Sequence, residues 1–277
     1  MGDNGCNNRR VHIMTARIVA YINQKGGVGK TTTLYHHARS FVRRGLRTLA
    51  VDLDPQGNLT SVITREAFEA DQVGIADVLS TRAAETLRDV IVPGVWDNLD
   101  VVPSNGAPLA GVQRELVAST AGREHRLRSA LSDVVGEYDV ILIDCGPSMD
   151  LLTTNALVAA STVVIVTEAT LFSVNGLSQV LGSVQEIRTY YNPALTLAGV
   201  VLNRYDRQTI AGDMWRRDLV LGIEAHGVEL LHPIIPKRTV IQNALEAAMG
   251  LDEYKSPRTA EMYDTHTQQI VPEGAMS

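Results

Sequence analysis

Lys25, Lys30, Thr31 and the acids Asp52, Asp54 and Asp144 are the side chains of this sequence whose types and spacing suit shared chemistry. Two lysines bracket a glycine-rich run, Lys25-Gly26-Gly27-Val28-Gly29-Lys30-Thr31-Thr32, directly after an apolar, β-rich stretch. Its glycines let the backbone curl until its N–H groups converge on an anion. Lys30 places a compact positive charge where the β- and γ-phosphates of a nucleotide would lie, and Thr31 offers a hydroxyl to Mg²⁺. A helix starting at this loop adds its positive end to the same phosphates. The run departs from the pattern G-x-x-x-x-G-K-[ST], because Gln24 stands where the first glycine belongs and Lys25 follows it.

Asp52 and Asp54 lie at i and i+2 in Asp52-Leu53-Asp54-Pro55-Gln56-Gly57-Asn58, so on an extended segment they point the same way. Pro55 and Gly57 then turn the chain and leave both acids at a strand end. Hydrolysis of a phosphoanhydride needs a group that orients water in line and a group near Mg²⁺, and the pair suits both tasks. Asp144 follows four apolar residues, Val140-Ile141-Leu142-Ile143, which is the Walker B pattern for a carboxylate that holds Mg²⁺ through water. The blander alternative for each acid is a loop cap. Cys145 has no basic partner in the sequence and reads as a small core residue. The seven histidines form no metal-ligand spacing, and His36-His37 read as packing or surface residues.

These groups need elements to hold them. Short β-branched runs at 18–22, 48–53, 99–102, 140–143, 163–167, 197–202 and 230–235 are continuous rather than alternating, as in strands buried on both faces. Helical segments are expected between them at 31–44, 108–119, 123–135, 151–159, 174–190, 210–226 and 240–249. This alternation predicts an α/β fold, a doubly wound, mostly parallel sheet flanked by helices, with ligands outside the carboxyl ends of the strands. Pro93-Gly94 and Asn105-Gly106 mark turns within it.

At 277 residues and 45% apolar content, the chain has enough material for a sizeable core. A net charge of −6 means that any nucleic-acid contact must come from a local basic patch. Two cysteines, Cys6 and Cys145, offer no disulfide framework and suit a reducing cytoplasm. No apolar run reaches the roughly 20 residues of a membrane helix, and the N-terminus lacks a secretory h-region. Residues 1–16 are expected to be a flexible tail.

The run from Lys25 to Thr32 closely resembles the variant phosphate loop of the ParA/MinD superfamily of dimeric ATPases. The segment Asp52–Asn58 is similar to its D-x-D-P-Q-G-N switch, and Asp144-Cys145-Gly146-Pro147-Ser148 to its D-x-P-P-S, with Gly146 replacing a proline. The likeness runs from Arg17 to about Ile270. It implies one P-loop ATPase domain over 17–270 and a C-terminal tail at 271–277. Lys25, Gly26, Gly27, Val28, Gly29, Lys30, Thr31 and Thr32 would then bind the nucleotide of ATP, with Lys25 reaching the partner's nucleotide. Asp54 would orient water, while Thr31, Asp52 and Asp144 lie at Mg²⁺. Asn203 and the backbone near Pro236 would frame adenine. The family's E-A-P-S-x-G run is replaced here by residues 243–250, which alters local contacts.

Compact partition ATPases fit best, since the segment before the first strand is too short for an operator-binding domain. The resemblance implies an ATP-state homodimer that binds DNA nonspecifically and a ParB-like partner that stimulates hydrolysis. The expected location is cytoplasmic and nucleoid-associated, without membrane attachment. Arg188, Arg207, Arg216, Arg217, Lys237 and Arg238 are the candidate DNA contacts, and five arginines from 188 to 217 face only two acids. Arg39, Arg43, Arg44 and Arg47 read as surface residues. The alternatives are a MinD-like or cargo-positioning regulator, an iron–sulfur carrier and a scaffold that binds ATP without turnover. Residues 260–277 contain no lysine or arginine, which speaks against a basic membrane helix. One core cysteine does not make a cluster site.

Overall fold

The strands are β1 (Arg17–Ile22), β2 (Thr48–Leu53), β3 (Val92–Pro93), β4 (Leu99–Val102), β5 (Val140–Cys145), β6 (Thr162–Glu168), β7 (Thr196–Asn203) and β8 (Leu230–Leu231). The structure, a computed structural model, describes residues 16–69, 71–206 and 210–272. Arg207 lies outside the described residues, as do Cys6, nearly all of the expected N-terminal tail and residues 273–277. Among the described residues the strands form one sheet in the order β3-β4-β2-β5-β1-β6-β7-β8. Every pairing is parallel except that of β3 with β4. This is the expected mostly parallel, doubly wound α/β sheet.

Alternate residues of the central strands enter two different cores. Val19, Tyr21, Ala50 and Leu142 pack toward α1 (Lys30–Arg43), α10 (Thr239–Glu246) and α11 (Pro257–Ile270). Ala20, Ile22, Val51 and Ile143 pack on the opposite face, toward α5 (Ala107–Ala118), α7 (Leu151–Ala159), α8 (Leu171–Tyr190) and α9 (Ile210–Ala225). Each buried Val, Leu or Ile among them contributes roughly 1.5–3 kcal/mol. With both faces covered, the strands carry no polar–apolar alternation, which is why their runs are continuous.

The elements differ from expectation where packing overrides pattern. Residues 123–135 hold only the short α6 (Arg126–Leu131), and the strand expected at 230–235 stops at Leu231. Pro233 has no N–H to continue that ladder. Between β2 and β4 lie α2 (Thr60–Ile63), α3 (Ile75–Leu79) and α4 (Leu87–Val90), too short for a periodic signal. Helix α11 was not expected at all. Its inward face is Thr259, Tyr263, His266 and Thr267 beside Ala260 and Ile270, so a count of apolar residues misses it.

The arginines of α1 hold this C-terminal segment rather than standing free. Arg39 pairs with Asp252 at 2.8 Å and Glu253 at 2.9 Å, and Arg43 pairs with Asp264 at 3.0 Å. Arg44 donates to the carbonyls of Thr267 and Val271. Arg47, more exposed, faces Asp139 at 3.8 Å. His36 and His37 are packing residues. The Tyr21 hydroxyl lies 2.9 Å from His37 Nδ1, His37 Nε2 lies 3.4 Å from His266 Nδ1, and His266 Nε2 lies 2.8 Å from the Pro233 carbonyl. One donor at each step satisfies the whole chain with both rings neutral. Burial accordingly pushes His266 down to about 4 and His37 well below the usual histidine range.

Candidate nucleotide site

Strand β1 lies between β5 and β6, where the strand order reverses, and the loop 23–29 leaves its carboxyl end there. Tyr21 and Asp52 are both in register with Asp144, so the sheet brings the loop and both strand acids to one edge. Gly27 and Gly29 have φ of 77° and 87°, left-handed values that glycine adopts freely. A Cβ on Gly29 would also lie 2.2 Å from Asn203 Nδ2. Asn203, at the end of β7, donates to the Val28 carbonyl at 2.9 Å. Asn23 bonds the Val166 carbonyl at 2.7 Å and accepts from the Lys25 N–H at 2.9 Å, tying the loop to β6.

Lys30 begins α1. It is buried and donates to the Asn23 carbonyl at 3.3 Å, and among the described residues it makes no ion pair. Burial lowers its pKa, while the neighbouring acidic groups, Asp144 first, act the other way. Thr31 donates its hydroxyl to Asp144 Oδ2 at 2.6 Å. Asp144 is pushed up to about 8, first by burial and then by the carboxylate of Asp52. Its other oxygen, Oδ1, is buried and has no hydrogen-bond partner among the described residues. A buried, orphaned carboxylate oxygen beside a threonine hydroxyl fits a hydrated Mg²⁺. Among the described residues no cluster of three or more His, Cys, Asp or Glu could hold a metal.

Asp52 is buried and its two oxygens are taken. One accepts from the Thr60 N–H at 2.8 Å and the Thr60 hydroxyl at 2.7 Å, and the other from the Asp54 N–H at 3.2 Å. Burial raises it to about 6 against those hydrogen bonds. Asp54 lies just beyond β2. Its carboxylate accepts from the Gln56 N–H at 2.9 Å, and its carbonyl accepts from the Ser104 hydroxyl at 2.7 Å. Asp54, Lys30, Thr31 and the loop glycines line a cavity of about 400 Å³.

A second cavity of about 350 Å³ shares Thr32, Arg204 and Gln242 with the first. Asn203 and Pro236 line it. Lys237 and Arg238, singled out as DNA contacts, stand in this wall. Arg216 and Arg217 on α9 both pair with Asp213, at 3.0 and 2.9 Å. Arg188 is exposed on α8. Sequence reasoning missed Glu168, Arg204, Gln242 and Glu246 as cavity residues. Only the adjacency of Arg204 to Asn203 hinted at one of them.

Lys25 lies on its own chain. Its Nζ is 3.9 Å from Glu168 and 3.4 Å from the Thr170 hydroxyl, and its side chain is 41% exposed.

Comparison with known proteins decides the family. Residues 16–197 match AAA_31, an AAA domain. Over 196 residues the chain is 42% identical to the sporulation initiation inhibitor protein Soj of Bacillus subtilis, covering 71% of this chain and 76% of Soj. The chain belongs to the ParA/Soj family of P-loop ATPases. The chromosome partitioning protein ParA of Caulobacter vibrioides is 36% identical over 231 residues, covering 82% of this chain and 83% of that ParA. Among solved structures, the cobyrinic acid a,c-diamide synthase of Mycobacterium smegmatis with bound ADP and magnesium superposes with a TM-score of 0.75 at 30% identity. That likeness covers 91% of this chain and 93% of the synthase. No helix of the described residues is long and apolar enough to cross a membrane.

Proposed function

We propose that this ParA/Soj-family chain is a Mg²⁺-dependent ATPase that closes as a homodimer on ATP and in that state binds DNA without sequence preference. It drives plasmid or chromosome partition, and a ParB-like partner stimulates its slow basal hydrolysis. It works in the cytoplasm, on the nucleoid. The observation that carries this reading is the buried Lys30 at the head of α1, which makes no ion pair among the described residues, beside the Thr31–Asp144 pair and the Asp144 oxygen without a partner among them.

The loop N–H groups and Lys30 hold the phosphates. Thr31 and Asp144 hold Mg²⁺, which when bound offsets charge on the phosphate oxygens. Asp52, near the metal, accepts hydrogen bonds from the Thr60 N–H and hydroxyl and from the Asp54 N–H. It serves the metal site by holding the segment 54–60 and crowding Asp144. Asp54 orients the attacking water. Asn203 and Pro236 frame the adenine. Lys25 crosses to the partner's phosphates, and the arginines of α8 and α9 meet the DNA backbone as a pair of patches.

The test is mass by light scattering with ATP, with ADP and without nucleotide, on the wild-type chain and Lys25→Ala. ATP should double the mass of the wild type alone, while Lys25→Ala keeps much of its nucleotide affinity. A Lys25→Ala chain that still dimerises on ATP would remove the cross-subunit role.

A further inference from the structure

Arg204 follows Asn203 and has a φ of +50°, a left-handed conformation that an arginine keeps only where its surroundings impose it. Its Nη1 donates to the Gly27 carbonyl at 2.6 Å. With Asn203 on the Val28 carbonyl, two successive side chains hold two successive carbonyls of the phosphate loop. An anion nest needs its N–H groups turned inward and its carbonyls turned out, so these donors brace the binding conformation from behind. The same Nη1 is 3.4 Å from Glu168 Oε1, while Lys25 approaches Glu168 Oε2 at 3.9 Å. One carboxylate, 21% exposed, therefore serves two cations. Arg204 also lines both cavities of the site.

We propose that Arg204 is a positioning residue: it braces the phosphate loop and stays with Glu168 as its counter-ion, so that Lys25 is free to leave for the partner subunit. This rests on the reading that Lys25 crosses between subunits in the ATP state. Glu168 by itself holds Lys25 at home. An uncompensated carboxylate in the cavity wall would be unfavourable once Lys25 has gone, and Arg204 removes that penalty. An exposed pair of this kind shifts an equilibrium by roughly 1.5- to 5-fold. A dimer must release two such lysines, so the effect on its dissociation constant is the square, roughly 2- to 25-fold.

The experiment is sedimentation velocity of the full chain with Mg-ATP in an Asp54→Ala background, across protein concentration. The variants are Arg204→Met, Glu168→Gln, both together, and Lys25→Ala as reference. Arg204→Met should weaken the dimer within that range. Glu168→Gln should tighten it, a gain that misfolding cannot produce. At Mg-ATP concentrations that saturate every variant, so that the lost brace does not limit binding, the double variant should follow Glu168→Gln. A fluorescent-nucleotide titration of the monomer should show weaker binding for Arg204→Met, reporting the lost brace. A double variant as weak as Arg204→Met, or a Glu168→Gln dimer no tighter than the parent, would overturn the proposal while leaving the dimer reading intact. A parent that stays monomeric with ATP, or a Lys25→Ala chain that dimerises like it, would overturn both.

Discussion

Replacing Asp144 by asparagine should separate the stability of the fold from its use of metal. Asp144 is fully buried next to Asp52, and burial together with that neighbour raises it to about 8. In the unfolded chain it titrates near 3.9. Between these values the folded protein binds the extra proton, so the contribution to stability is complete below the lower value and is lost as pH rises through the higher one. From pH 6 to pH 9 the folded carboxyl passes from nearly full protonation to roughly a tenth, while the unfolded one stays ionised throughout. At 1.36 kcal/mol per unit this withdraws about 2–3 kcal/mol from the wild type. Asp144→Asn keeps the shape and the Thr31 contact but has nothing to ionise. Urea unfolding without nucleotide, at pH 6 and pH 9, should show the variant gaining on the wild type by that amount. The same variant should lose most of the gain in ATP affinity that Mg²⁺ gives the wild type. A stability difference that does not change between the two pH values would refute the account of Asp144 as a carboxyl held neutral by burial until a cation arrives.

Gly29→Ala should weaken nucleotide binding at least tenfold, because a Cβ at φ 87° is strained and would lie 2.2 Å from Asn203 Nδ2; a nucleotide titration checks this. Lys30→Met should abolish most triphosphate affinity yet leave the fold as stable or more so, since it removes a buried charge without an ion partner; unfolding and binding measured together test it. His266 is held near 4 in the fold, so the unfolded state binds the extra proton between about pH 6.5 and 4, and stability is lost as the pH is lowered through that window. By pH 5 the loss is about 2 kcal/mol, and His266→Asn, though destabilised at pH 7, should close on the wild type by that amount in urea titrations.

Most of the sheet was legible because its strands are buried on both faces, so runs such as Val140-Ile141-Leu142-Ile143 stand out from helical spacing. The loop and the strand-end acids were legible because their chemistry fixes both residue type and spacing. The rest was hidden for identifiable reasons. Helix α11 buries His266 and Thr267, whose partners lie on α1 and at Pro233, and Thr259, whose hydroxyl meets Ser256 and Arg238. Arg39, Arg43 and Arg44 resemble surface cations until their acceptors at 252–271 arrive from more than 200 positions away. Glu168 and Arg204 meet only through the sheet, since β6 and β7 pair in register up to Glu168 and Asn203. Lys237 and Arg238 look like free basic residues beside Pro236, but the chain folds them into the wall of the second cavity.

The most direct test of the ATP-gated partition switch is binding of a random-sequence DNA duplex by Asp54→Ala with ATP, with ADP and without nucleotide, across a salt series. The account predicts binding in the ATP state alone, weakening steeply with salt as Arg188, Arg216 and Arg217 displace counterions. Equal binding in all three states, or none at low salt with ATP, would contradict it.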